Sequence, residues 1–201
     1  MVRAKSFNWV VLLAAVFACC SCVTTVRPSS SLPLRRYSRF ERMKKLCYVS
    51  VHTGETRTVP YTLESYRIEY GDPLRKAILT GLGQVFQEVY PRDPNLSRRA
   101  PAPDSVLVVV DVPSFRVDLG VTIFDNDRAS LVLHVEVLSP EGRTLLNTSV
   151  IGLSEQMLPG GATRRRGVTS LCEKVMKDAI DKLNEYFIIN RNVIEPDKEA
   201  G

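Results

Sequence analysis

A chain of 201 residues with 44% hydrophobic residues holds enough apolar material for one core and too little for two. Charged residues make up 24% and Gly plus Pro number 23, which excludes a disordered, collagen-like or coiled-coil chain, and the formal net charge of +5 is mild. With just two histidines, His52 and His134, a His-rich metal centre is excluded and every hydrolase triad is weakened.

Residues 1–8 carry Arg3 and Lys5 and no acid, and Trp9 to Ala18 is an unbroken apolar run. The run is too short to cross a bilayer, which takes about 20 residues, and has the length of a signal-peptide core. Cys19, Cys20 and Cys22 follow at once, three of the five cysteines of the chain within four positions. Val16, Phe17, Ala18 and Cys19 resemble a bacterial lipoprotein signal, in which a branched apolar residue stands at −3, a small one at −1 and the lipidated Cys at +1. Phe17 is bulky for its place, and Cys22 is the second choice. Each acyl CH₂ contributes about 0.8 kcal/mol, so an acylated Cys19 would hold the chain on a membrane. Cys20, and not Asp, at the next position implies the outer membrane, facing the periplasm. Cleavage before Cys19 removes Arg3 and Lys5 and no acid, which lowers the charge to +3.

Residues 19–45 read as a lipid-anchored basic tether. Pro28, Ser29, Ser30, Ser31 and Pro33 oppose regular structure, and Arg35, Arg36, Arg39, Arg42, Lys44 and Lys45 face only Glu41. Such a segment either lies on anionic head groups, at about 1 kcal/mol per cation, or is a solvated linker.

A single domain is expected over 46–190, with a polar tail at 191–201. Leu46 to Val51 alternates as a strand. Asp72-Pro73 opens a helix, and Leu74, Ala77, Ile78, Leu82, Val85, Phe86 and Val89 extend its stripe to about Tyr90. Gly81 and Gly83 inside that stripe suggest close packing on another element. Strands follow at 105–119, with a bulge at Pro113-Ser114, at 129–138 and at 143–153. A second helix spans about Thr169 to Phe187. This order predicts an α+β fold: a mostly antiparallel sheet of about four strands, with two amphipathic helices packed on one face.

No motif reads as a catalytic, metal or cofactor site. His52 and His134 lack partners at ligand spacing, and Gly81-Leu82-Gly83 does not follow a strand. Cys47 and Cys172 are either a possible disulfide or two separately buried thiols. Arg164, Arg165 and Arg166 stand before the second helix, where cations are unfavourable, and are candidates for contact with an anion or a partner. The exporting leader and the lack of aromatics among the cations exclude nucleic acid.

The helix opened by Asp72-Pro73-Leu74, the hairpin Val135-Glu136-Val137 to Pro140-Glu141-Gly142-Arg143, Gly152, and the stretch Cys172 to Tyr186 resemble small bacterial envelope lipoproteins. These are of the YajG-like and lipopolysaccharide-assembly-lipoprotein-like type. Cys20-Ser21-Cys22-Val23 departs from the stretch that follows the Cys in the latter. The resemblance implies a non-enzymatic interaction or assembly subunit of an envelope complex, with an envelope protein as partner. The alternative is a lipid- or glycolipid-binding accessory of an envelope transport system, its groove between sheet and helices.

Overall fold

The structure is a computed structural model that describes residues 22–38, 41–62, 64–93, 95–96, 99–120, 125–158 and 163–196. The strands are β1 (Cys22–Val26), β2 (Met43–His52), β3 (Thr56–Tyr61), β4 (Glu64–Glu69), β5 (Phe86–Pro91), β6 (Ser105–Asp118), β7 (Asp127–Leu138) and β8 (Thr144–Gln156). The helices are α1 (Gly71–Leu82), α2 (Arg164–Ile189) and the single turn α3 (Arg191–Ile194).

The fold is α+β, but it is not the expected mostly antiparallel sheet of about four strands with a pair of amphipathic helices as its whole helical layer. There are two mixed sheets, of three strands (β1-β4-β3) and five (β5-β2-β6-β7-β8). In the larger one β2 runs parallel to both β5 and β6, and β6, β7 and β8 are antiparallel. In the smaller one β1 is parallel and β3 antiparallel to β4. One 26-residue helix, α2, is the main helical element.

The first helix ends sooner than its apolar stripe. Gly83 N–H donates to Leu79 O (3.1 Å) and Val85 N–H to Leu82 O (2.9 Å), after which Met43 N–H donates to Val85 O (2.7 Å). The chain has turned to run beside β2, so Phe86 and Val89 belong to strand β5. Gly81 does pack closely: a Cβ there would collide with Ile180 Cγ2 of α2. The bulge lies where Pro113 places it, with the β6–β7 register shifting between Asp111 and Ser114.

Strand β2 buries Cys47, Val49 and Val51, β6 buries Val106, Val108 and Val110, and β7 buries Leu131, Leu133, Val135 and Val137. These inner residues meet the α2 stripe of Leu171, Val175, Met176, Ala179, Ile180, Leu183 and Phe187. Phe86 and Phe187 pack edge to face at 5.8 Å between centroids. Tyr70, just before α1, stacks on Phe115 of β6 at 4.4 Å, which closes the smaller sheet against the same core. Burying one such aromatic or aliphatic side chain contributes about 1.5–3 kcal/mol.

The supposed tether is engaged from residue 22 onward. Strand β1 pairs with β4, and Ser29 N–H donates to Glu173 Oε1 (2.8 Å) and Arg35 N–H to Asp181 Oδ1 (2.9 Å). Residues 27–38 therefore run alongside α2, with Leu32, Leu34 and Tyr37 packed on the core.

Candidate functional site

The three consecutive arginines form the first turn of α2 and separate in role. Arg164 is buried, and its Nη2 lies 2.6 Å from Asp127 Oδ1 and donates to Gly120 O (3.1 Å). Its guanidinium stacks over Tyr61 at 4.0 Å. Asp127 also accepts from Gly120 N–H (3.0 Å) and Leu158 N–H (3.0 Å). A buried cation beside a buried carboxylate, the carboxylate also accepting from two backbone N–H groups, ties α2, β7 and β3 together, while Arg164 Nε stays buried without a hydrogen-bond partner among the described residues. Arg164 is therefore turned inward, whereas Arg165 and Arg166 are exposed. From sequence Asp127 reads as a turn former, since nothing local marks its partner 37 positions away.

The larger sheet buries one face under α1 and α2. Part of its other face is open. At one end Ala100 covers Leu107, Val109 and Leu138, with Tyr48 alongside and stacked on Tyr90. Beyond that patch, the register places His52, Asp111, His134 and Ser149 side by side on β2, β6, β7 and β8. His52 Nδ1 is 3.9 Å from Asp111 Oδ1, and His134 Nδ1 is 3.2 Å from Ser149 Oγ. The next rungs bring Ser114, Val132 and Ile151 together, then Arg116, Ser130 and Leu153. Ile151 and Leu153 are 51% and 62% exposed. Past them Glu155 accepts from Asn126 (2.7 Å) and Arg128 (3.2 Å), which hold its carboxyl below its ordinary range.

Both histidines thus share one row, which only the pairing of distant strands could reveal. The row offers hydrogen-bond donors and acceptors, but it lies on an open sheet surface. Among the described residues no group of three His, Cys, Asp or Glu is placed to hold a metal ion. The interface between sheet and helices is filled by side chains such as Phe86, Leu131, Leu133 and Phe187, all buried. One surface cleft, of about 260 Å³, lies between β3, β4 and the start of α1, lined by Arg27, Glu55, Arg67 and Asp72.

Cys47 and Cys172 are separate free thiols, both buried, and burial pushes the Cys172 thiol up to about 12. Cys19 lies outside the described residues. Cys22 is the first residue of β1. Among the described residues no helix is long and apolar enough to cross a membrane.

No protein-family model and no curated protein matches the sequence. Solved structures do resemble it in shape. Protein XCC0632 from Xanthomonas campestris, of the family model DUF330, aligns at a TM-score of 0.60 and 12% identity, over 84% of this chain and 97% of that one. A minor lipoprotein from Acinetobacter baumannii aligns at 0.44 and 13% identity, over 72% of this chain and 94% of that one. The first shares the fold; the second, with so low a score, adds nothing to that.

Proposed function

We propose that the chain is a membrane-anchored lipoprotein of a bacterial cell envelope, and that it acts as a non-enzymatic interaction or assembly subunit of an envelope complex. The observation that carries this reading is the open outer face of the five-stranded sheet. It offers Ile151 and Leu153 for burial, next to the hydrogen-bonding row of His52, Asp111, His134 and Ser149. An aliphatic patch edged by polar groups suits a protein partner. The leader ending in Val16-Phe17-Ala18-Cys19 supports the anchor, and Cys20 supports the outer membrane.

A photoreactive amino acid at Leu153, and for comparison at Glu185 on the exposed side of α2, tests the reading in intact cells. A discrete adduct with a membrane protein from position 153, lost when Ile151 and His134 are both changed to Ser and absent from position 185, is expected. The same adducts from both positions, or none from 153, would contradict it.

A further inference from the structure

We infer that the end of the fold where β1 and α2 begin rests on the surface of the anchoring membrane, with Arg165, Arg166 and Met157 as the side chains presented to it. The inference deepens the lipid-anchor reading and rests on it.

It follows from the length of chain between anchor and fold. A free tether over 19–45 would let the domain roam about 90 Å from the bilayer at full extension. The structure leaves no such length, because β1 begins at Cys22 and is locked in register with β4. If Cys19 carries the acyl chains, only three peptide steps separate it from Cys22, a reach of about 11 Å. The domain is then held against the head groups, and the end nearest β1's first residue faces them.

Three contacts identify that end. Cys22 pairs with Glu64, and Glu64 pairs with Tyr61. Tyr61 lies under the Arg164 guanidinium at the start of α2. Arg164 is joined to Asp127 at the start of β7, and Asp127 accepts from Leu158 just after β8. The start of β1, the end of β3, the start of α2, the start of β7 and the end of β8 therefore gather at one pole. There Arg165 and Arg166 are exposed, and Met157 is 60% exposed. Cations beside a flexible apolar side chain match the boundary between lipid phosphate and acyl chain. The same pole also carries Glu64, Asp118 and Asp125, so the orientation is set by the short connection and not by net charge. The opposite pole is the β7–β8 hairpin around Glu141. Along the 12 residues of β7 it lies about 35–40 Å away.

The sequence supplies a convenient reporter, since its one tryptophan, Trp9, lies in the leader. Arg166→Trp and Glu141→Trp are each made in the full chain, purified from membranes and reconstituted in phosphatidylethanolamine–phosphatidylglycerol vesicles bearing head-group nitroxide. Acylation is read on the same samples by mass. Arg166→Trp is expected to lose most of its emission and Glu141→Trp almost none. Ten Gly/Ser residues inserted between Ser21 and Cys22 should abolish the difference. An unacylated chain would overturn the anchor reading and this inference with it. An acylated chain with equal quenching at both positions, or a difference that survives the insertion, would overturn the orientation alone.

Discussion

Arg164 Nη2 lies 2.6 Å from Asp127 Oδ1, with the two side chains 5% and 1% exposed, and this pair fastens the first turn of α2 to the first residue of β7. Removing one partner leaves a buried charge without its counterion, which costs about 3–5 kcal/mol. Asp127→Asn and Arg164→Gln should each lower the unfolding free energy, read from urea denaturation, by that amount. The double variant should lose much less than the two losses combined, because the second change removes the charge stranded by the first. Strictly additive losses would mean that the two side chains act separately.

Gly81 of α1 meets Ile180 of α2 with no room for a methyl group. Gly81→Ala should destabilise by about 1–3 kcal/mol, the usual cost of overpacking, despite the better helix propensity of alanine. Adding Ile180→Ala should recover part of that loss, since it deletes the atom in the way. A Gly81→Ala chain that melts at or above the wild-type temperature would show that the helices are not in this contact.

Much of this architecture is legible in the sequence, and the losses have physical causes. The strands β2, β6, β7 and β8 carry their alternation openly, and α2 carries an unbroken stripe. Strand β5 fails because Val85, Phe86 and Val89 continue the helical spacing of α1, while the stop at Gly83 is a matter of backbone bonding. Strand β1 fails because Cys22–Val26 is short and its partner β4 lies some 40 residues on; pairing at that range is a tertiary choice. The division into two sheets and the parallel placing of β2 between β5 and β6 are likewise set by long-range contacts. The arginine run is visible as a run, but only Asp127 decides which of the three turns inward.

Asp178 guards the free edge of β8. Its carboxylate accepts from Leu153 N–H (2.9 Å) and from Lys182 Nζ (2.7 Å), and Lys182 also donates to Ile151 O (3.1 Å). Side chains from α2 thus occupy edge groups that would otherwise invite another strand. Burial alone would raise the Asp178 carboxyl, but the Lys182 hydrogen bond, the Leu153 N–H and the charges of Lys182 and Lys177 outweigh it and hold the group below its ordinary range. A carboxyl depressed in the folded state contributes stability above its unfolded value and loses it as pH falls through the folded value. Asp178→Asn should therefore cost about 1 kcal/mol at neutral pH, discounted for its partial exposure, and nothing in strong acid. Equal costs at both pH values would remove the ionised carboxylate from the account.

Burial raises the thiols of Cys47 and Cys172, Cys47 strongly and Cys172 to about 12. Neither should react with iodoacetamide in the native chain at pH 8, and both should react on unfolding without any reductant, as read from their tryptic peptides. Because these thiols are neutral when folded, their contribution to stability is complete below the ordinary thiol range near 9 and falls as pH climbs towards 12. A Cys47–Cys172 disulfide in the peptide map would contradict the separate placement of the two sulfurs.

The anchor underlies the proposed role, and the mass of the N-terminal peptide from the membrane-extracted chain tests it most directly. A mature chain that begins at Cys19 and carries a diacylglyceryl group and an amide-linked acyl chain is expected, with Cys19→Ser leaving the leader uncleaved and the label from palmitate absent. A mature N-terminus without lipid, or palmitate incorporation unaffected by Cys19→Ser, would contradict it.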